Sequence, residues 1–340
     1  MGFIAEYGMF LLKAATLVIC ILIVIGALIP RGRGGTDAEQ KGTLKVNNVG
    51  QRIADNAKGL SAVLFHGKDK KDFQKETKKQ QKEVVKSETG RLFVVNFKGD
   101  IQAKAASNLR EEVSAILGVA TDKDEVLVNV ESGGGVVHGY GLAASQLDRI
   151  NSKGIPLTVA VDKVAASGGY MMACVANKIL AAPFAIVGSI GVVAQLPNFH
   201  RLLEKHEVDF EMHTAGEHKR TLTMFGKNTD EGRKKFVEDL EEAHVLFKDF
   251  VAEHRPSLDI DKIATGEIWF GRQAVDLGLV DEVMTSDEYV MSKARDHEVF
   301  EICYEPKKSL QEKFSKGAES SIENLIEKTI EWLRASRFFS

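Results

Sequence analysis

The 340-residue chain has few cysteines and almost no excess charge, and each scarcity excludes a class of protein. Cys20 lies in a long apolar run, so only Cys174 and Cys303 remain, and neither a disulfide framework nor a C-x-x-C metal pair can be built. A net charge of −3 argues against nucleic acid as the main partner. A charged fraction of 27% excludes a protein with many membrane spans, and 44% hydrophobic residues exclude a wholly disordered chain.

The common cofactor motifs are also absent. A dinucleotide fingerprint that starts at Gly133 and Gly135 would need glycine or alanine at position 138, where the chain has His138. There is no Walker A lysine pattern and no H-E-x-x-H, and the nine histidines are scattered without metal-ligand spacing. We therefore expect no cofactor and no bound metal.

The longest apolar run lies at the N-terminus. Residues 14–29 carry no charge, and when the run is extended back to Gly8 only Lys13 interrupts it. About 20 helical residues span about 30 Å, the hydrocarbon thickness of a bilayer. A cleaved signal peptide is the alternative, but residues 27–30 (A-L-I-P) offer no small-x-small cleavage site. The sequence predicts that residues 1–30 form a membrane anchor with one transmembrane helix.

Charge is divided unevenly along the rest of the chain. Residues 31–90 carry a net charge of +6, and residues 91–340 carry −9. The polar stretch 68–86 is typical of a solvated helix or tether, and contact with anionic lipid headgroups is a second interpretation. The basic residues after the span favour a cytoplasmic body, although long domains can cross a membrane regardless of flanking charge. We assign residues 31–90 to a basic polar tether or helical linker.

Apolar strands alternate with helices from residue 91 onward. The patterns predict strands over 92–97, 126–130, 156–161 and 178–182, and helices over 106–118, 138–150 and 170–176. Strands separated by helices of this length pair in parallel, so we expect an α/β fold. A long amphipathic helix over 231–253 follows, and a mixed helix over 322–333 lies in a C-terminal helical tail, residues 306–340.

Two glycine-rich loops, 132–135 and 167–169, follow predicted strands, where α/β proteins bind ligands. Ser167 lies at a strand-to-helix junction, where backbone N–H groups can stabilise an oxyanion, and an ordinary N-cap serine is the alternative. A nucleophilic serine needs a base. The candidates are His138, His213, His218 or a lysine in an apolar site, and spacing alone chooses none of them.

Ser167 lies in A-A-S-G-G-Y (165–170), and around this motif the chain resembles the signal peptide peptidase family of serine proteases. The likeness extends over residues 161–176, 187–195, 216–222 and 264–282. The stretch G-L-V-D-E (278–282) is shared more loosely with ClpP and crotonase-fold proteins. The resemblance implies a serine endopeptidase whose residues 91–305 form a ClpP/crotonase-like domain with parallel sheets and flanking helices.

The resemblance also implies the roles of individual residues. Ser167 would be the nucleophile, Lys219 in G-E-H-K-R the general base, and Ser189 in V-G-S-I-G the residue that orients the lysine. The oxyanion hole would consist of backbone N–H groups of Gly168 and of Gly134 or Gly135. Lys163 and Arg220 are less suitable bases if they face solvent. The family usually reads S-P-G-G where this chain has Ser132-Gly133-Gly134-Gly135, and the missing proline relaxes the loop.

The resemblance further implies partners and a location. We expect a homo-oligomer in which serine and lysine can come from different protomers. The substrates would be signal-peptide-like segments or fragments of membrane and unfolded proteins, cut at a bacterial inner membrane. The resemblance favours a periplasmic catalytic domain, whereas the flanking charges favour the cytoplasmic side. A crotonase-like acyl-CoA enzyme, which needs a carboxylate beside the loops, and a non-catalytic membrane scaffold assembled through the long helix remain alternatives.

Overall fold

Parallel strands and flanking helices build the folded part of the chain. The computed structural model describes residues 42–86 and 90–307, together with the single positions 8, 13 and 16. The strands are β1 (Thr43–Asn48), β2 (Arg91–Lys98), β3 (Glu125–Glu131), β4 (Leu157–Val161), β5 (Val164–Ala166), β6 (Lys178–Ala181), β7 (Ile186–Gly188), β8 (Ile268–Phe270), β9 (Glu282–Val283) and β10 (Glu298–Glu305). The helices are α1 (Val49–Leu64), α2 (Gly67–Lys86), α3 (Ala106–Leu117), α4 (Val137–Asn151), α5 (Gly168–Ala173), α6 (His200–Lys205), α7 (Asp230–His254), α8 (Ile260–Ile263), α9 (Gly271–Asp276) and α10 (Ser286–Lys293).

The larger sheet has seven strands in the order β1-β10-β2-β3-β4-β6-β9. β1 runs antiparallel to β10, and the other neighbours pair in parallel. β2, β3 and β4 are nearly continuous apolar runs because helices cover both faces of the sheet. α3 and α4 form the crossovers between these strands, as parallel neighbours require. The α/β prediction is confirmed.

The core has a layer on each face of this sheet. On one face, α3, α4, α5 and α7 contribute apolar side chains such as Leu109, Leu147, Met172 and Phe247. On the other face, α1 and α10 cover the strands through a smaller group that includes Val49 and Val290. All six residues of α5 are buried, so the helix that follows Ser167 is held on every side.

A second sheet of three short strands, in the order β5-β7-β8, lies beside the ends of the first. β5 pairs with β7 in parallel, and β8 pairs with β7 in the antiparallel sense. A single bridge between Ser132 and Ala165 joins this sheet to the end of β3. Strands of three residues have no measurable periodicity, and for this reason the sequence patterns did not predict them.

Several boundaries differ from the sequence prediction. The predicted helix over 170–176 begins earlier and is shorter, since α5 runs over Gly168–Ala173 and ends at the C-cap Cys174. The range 31–90 contains β1, α1 and α2, and β1 pairs with β10, so the compact unit begins at Thr43 and ends at Glu305. Except for positions 8, 13 and 16, the predicted anchor (residues 1–30) and tail helix (322–333) lie outside the described residues. No helix in the part of the chain that the structure describes combines the length and apolarity needed to cross a bilayer.

Candidate active site

Two glycine-rich loops are fastened to each other at the carboxyl ends of β3 and β5. The amide of Ser132 donates to the carbonyl oxygen of Val164 at 2.8 Å, and the amide of Ala166 donates to the carbonyl oxygen of Ser132 at 3.0 Å. Ala166, the donor of the second hydrogen bond, directly precedes Ser167. The structure thus places the two glycine-rich loops in direct contact.

Ser167 adopts a strained backbone conformation. Its φ is +53° and its ψ is −119°, a region that a residue with a side chain rarely occupies. Its amide donates to the carbonyl oxygen of Gly188, the last residue of β7, at 2.8 Å. This hydrogen bond ties the backbone at Ser167 to β7. Its side chain makes no capping hydrogen bond to α5. Ser167 therefore does not act as an ordinary N-cap serine.

Glycines allow the loops to approach Ser167 closely. A Cβ on Gly134, whose φ is +91°, would lie 2.7 Å from the Cβ of Ser167 and 2.8 Å from the amide nitrogen of Gly168. A Cβ on Gly135 would lie 2.1 Å from the carbonyl oxygen of Ile101. Only glycine fits at these two positions. Of the predicted oxyanion residues, Gly134 and Gly168 lie directly beside Ser167, and Gly135 lines the same cavity.

These residues line a cavity of about 600 Å³. Ser167 and Ser189 supply its hydroxyl groups, and its walls are mostly aliphatic and aromatic. The apolar side chains of the wall are Ile101, Val136, Val137, Met171, Val192, Val193, Ala243 and Phe247. Among the described residues, no acidic, basic or histidine side chain lines the cavity. Within the described ranges, Ser167 therefore lies in an apolar site without an ionisable partner.

Ser189 is held by the same strand that holds Ser167. It follows β7 directly, has a φ of +51°, and donates its amide to the carbonyl oxygen of Glu267 at 2.6 Å. The preceding Gly188, with a φ of +98°, packs against Trp269, where a Cβ would lie 2.6 Å from the ring. The turn after β7 thus fixes the backbones of both serines, and both side chains face one cavity.

Lys219 does not join this group within one chain. It lies in the exposed stretch 207–220, it does not line the cavity, and the structure records no hydrogen bond or ion pair of its side chain among the described residues. None of the other bases considered lines the cavity among the described residues. His138 and His218 are exposed, and His213 pairs with Glu211 at 3.3 Å. Lys163 is 70% exposed and pairs with Glu131 at 2.9 Å.

Two contributors to the site carry no motif in the sequence. The carbonyl oxygen of Ile101 accepts the amide of Val136 at 2.8 Å and fixes the far end of the glycine loop. Tyr140, on α4, is fully buried beneath both loops. For Tyr140, the only signal in the sequence is its position a few residues after the glycine loop. Ile101 lies some 30 residues before the loop, so the sequence gives no signal for it.

These features define an α/β protein with a strained serine enclosed by glycine loops. A family model described as peptidase family S49 matches residues 149–299, and one described as peptidase family S49 N-terminal matches residues 2–147. A probable protease SohB of Haemophilus influenzae is 49% identical over 334 residues, which are 94% of each chain. The chain belongs to peptidase family S49 and is a peptidase. The resemblance inferred from the motifs is confirmed.

The chain is also similar to a second curated relative and to a solved structure. A probable protease SohB of Buchnera aphidicola subsp. Acyrthosiphon pisum is 56% identical over 232 residues, 68% of this chain and 69% of that one. Among solved structures, the 1510-N membrane-bound stomatin-specific protease in complex with a substrate peptide matches 67% of this chain and 97% of its own, at 12% identity and a TM-score of 0.43.

Proposed function

We propose that the chain is a serine endopeptidase in which Ser167 attacks the scissile carbonyl and Lys219 is the general base. The observation that supports this most is the placement of Ser167: a strained serine without a capping bond, in contact with Gly134, at the wall of an apolar cavity. Backbone strain of this kind clusters at active sites. The fold we propose for residues 91–305 is ClpP/crotonase-like.

The backbone supplies the oxyanion hole in this proposal. The amide of Gly134 already donates to Ser132 Oγ at 3.1 Å, so the loop donor is the amide of Gly135. The second donor is the amide of Gly168. Because Gly168 is the first residue of α5, this amide has no hydrogen-bond partner within the helix. Neither of these two amides makes a recorded hydrogen bond in the described part of the chain. Both can therefore donate to the oxygen that becomes negative during attack.

The reaction then proceeds through an acyl-enzyme. Neutral Lys219 removes the proton of Ser167 Oγ while Oγ bonds to the carbonyl carbon, and the lysine returns that proton to the leaving amine as the peptide C–N bond breaks. Water attacks the ester in the second half, with its proton passing to the lysine and then to the released serine oxygen. Ser189, which faces the same cavity, orients the lysine amine.

The base comes from a neighbouring copy of the chain. The cavity of one chain holds no ionisable side chain among the described residues, and Lys219 is exposed. An apolar cavity favours the neutral form of an amine that enters it, which is the form a base needs. We therefore propose a homo-oligomer in which Lys219 of one protomer reaches Ser167 of the next.

The substrate and location follow from the cavity and the sequence. An apolar wall suits a peptide with an aliphatic side chain next to the scissile bond, as in signal-peptide-like segments or membrane and unfolded protein fragments. We propose a single-pass bacterial inner-membrane protein with an anchor over residues 1–30 and a tail over 306–340. Because β1 and α1 belong to the folded unit, the basic linker predicted over 31–90 is confined to the segments outside them, and α2 is the part that contacts lipid headgroups. The periplasmic side remains our proposal for the catalytic domain, against the flanking charges.

The acyl-CoA alternative requires a carboxylate beside the loops. No aspartate or glutamate lines the cavity in the portion of the chain that the structure describes. The scaffold alternative predicts that neither Ser167 nor Lys219 affects any activity, which the following experiment tests.

Mixing two inactive variants tests the shared site. Full-length Ser167→Ala and Lys219→Ala are each expected to be inactive, and their co-assembled mixture is expected to recover a measurable fraction of wild-type peptide cleavage. Recovery is expected because some junctions combine an intact Ser167 with an intact Lys219 from the next protomer. The readout is cleavage of an internally quenched peptide with leucine before the scissile bond.

The control mixture pairs Ser167→Ala with the double variant that lacks both groups, and it should stay inactive. An inactive test mixture whose variants co-purify in one oligomer would exclude the shared site. Full activity of either variant alone would exclude the dyad itself.

A further inference from the structure

A chain of hydrogen bonds runs from the glycine loop into the core. The Gly134 amide donates to Ser132 Oγ at 3.1 Å, Ser132 Oγ contacts the Tyr140 hydroxyl, and that hydroxyl donates to the carbonyl oxygen of Asp100 at 2.9 Å. A carbonyl oxygen can only accept, so the single proton of Tyr140 points to Asp100 and Ser132 donates to Tyr140. The chain therefore has one direction, from the loop amide to Asp100.

This chain lies in a closed environment. Ser132 is 2% exposed and Tyr140 is 0% exposed. A Cβ on Gly99 would lie 2.3 Å from the Tyr140 hydroxyl oxygen and 2.7 Å from Ser132 Oγ, so the backbone at Gly99 closes the space beside them. Burial raises the pKa of Tyr140, so its phenol stays protonated at neutral pH and keeps its role as donor. Successive hydrogen bonds of this kind strengthen one another in a water-poor site.

The ring of Tyr140 also touches the other side of the candidate active site. A Cβ on Gly168 would lie 2.3 Å from Cγ of the Tyr140 ring, so the ring packs directly on the backbone that follows Ser167. The ring of Tyr140 thus supports the backbone at Gly168. Its hydroxyl supports the amide of Gly134 through the hydroxyl of Ser132. These two backbone segments are the ones that enclose Ser167.

We infer that Tyr140 and Ser132 are positioning residues that fix the glycine loop against Ser167 for peptide hydrolysis. Their hydrogen bonds hold the peptide plane between Gly133 and Gly134. The backbone at Gly134, with its φ of +91°, turns from this plane to the next amide, that of Gly135, so a shift of the plane also moves that amide. Neither side chain lines the cavity, so neither touches the substrate. The inference rests on the proposed function, because the orientation of the loop amide matters for the rate only if it stabilises an oxyanion.

The test compares Tyr140→Phe, Ser132→Ala and the double variant in the full-length protein. Each single variant is expected to lower kcat on the order of 10-fold with KM unchanged, because a loosened oxyanion donor acts in the transition state. The double variant should be no slower than the slower single variant, since both break one chain. The shape of the pH profile should be retained, because neither residue is the base. The readout is cleavage of the internally quenched leucine peptide.

Tyr289→Phe is the matched control. It also removes a buried phenol hydroxyl, one that contacts Thr158 at 3.3 Å and donates to Glu125 at 3.1 Å near the amino ends of β4 and β3, away from the site. It should leave kcat at the wild-type value. A fall of the same size in Tyr289→Phe would mean that any lost buried hydroxyl slows the enzyme, and this would overturn the inference.

Other outcomes are equally decisive. Wild-type kcat in both folded single variants, a change confined to KM, or losses that multiply in the double variant would each overturn the inference. If Tyr140→Phe does not fold, Ser132→Ala carries the test, because it keeps the ring packed on Gly168. Ser167→Ala in the same assay separates the two proposals: retained cleavage there defeats the proposed function, whereas its loss beside a normal Tyr140→Phe defeats only the positioning role.

Discussion

Replacement of Ser167 by alanine is expected to lower kcat for peptide cleavage by at least about 10⁴-fold, because no other group can form the acyl-enzyme. The melting temperature should stay near that of the wild type, since the Ser167 side chain makes no capping hydrogen bond. Lys219→Ala should show a comparable loss. The measurement is kcat of the full-length variants over pH 6–10, where the wild-type rate should rise toward alkaline pH because the lysine must be neutral to act as base.

Two exposed residues provide matched controls for this pair. Ser145→Ala removes a serine hydroxyl that bonds only its own helix, at the carbonyl oxygen of Gly141. Lys227→Ala removes an exposed lysine from the neighbouring stretch of chain. Both should retain wild-type kcat. Unchanged cleavage in Ser167→Ala would exclude the nucleophile, and unchanged cleavage in Lys219→Ala alone would assign the base to another group.

Replacement of Gly134 by alanine is expected to lower kcat by about 10²-fold or more. The new Cβ would lie 2.7 Å from the Cβ of Ser167 and 2.9 Å from the carbonyl oxygen of Ala166, and the φ of +91° is unfavourable for alanine. The loop must therefore move away from the serine. Because the displacement is local, the loss should appear in kcat while circular dichroism at 25 °C stays that of a folded α/β protein.

Gly133→Ala is the control for this substitution. It adds the same methyl group one residue earlier, where no atom lies within 4 Å of the new Cβ. It should retain cleavage within about threefold of the wild-type rate, since surface changes without new contacts have small effects. Equal losses in the two variants would show that the rate depends on loop flexibility and not on the close contact at Gly134.

Much of the fold could be predicted from local patterns. The strands β2, β3, β4 and β6 and the helices α3, α4 and α7 lie within a few residues of their predicted positions, because each has enough residues to show a period. The three-residue strands β5, β7 and β8 have no such period. β1 and β10 depend on a pairing across some 250 residues of chain, which no local pattern can reveal.

The candidate site was predictable at the level of its motifs and not of its geometry. The position of Ser167 between a strand and two glycines made it a candidate nucleophile, and the resemblance added Ser189 and Lys219 as further candidates. The positive φ values of Ser167 and Ser189, and the contact of Gly134 with Ser167, arise from packing between distant segments. Tyr140 was not predicted because its hydrogen bonds join residues that carry no motif, such as Asp100.

Lys219 does not line the cavity of one chain among the described residues, and this is the reason for proposing that the two groups come from different protomers. The stretch that carries it is exposed, and hydrophobic side chains such as Val208 and Phe210 are exposed beside it. Surfaces of this composition often bind a partner. The assembly itself stays a prediction that the mixing experiment addresses.

The most direct test of the account is to find which residue becomes covalently bound during attack. The full-length protein is treated with a peptidyl fluorophosphonate, whose phosphorus reacts with an activated serine oxygen, and the adduct is mapped by mass spectrometry of the digested chain. The account predicts one adduct, on Ser167, and strongly reduced labelling in Lys219→Ala. An adduct on another residue, or an unlabelled Ser167 in protein that the reagent has inactivated, would contradict it.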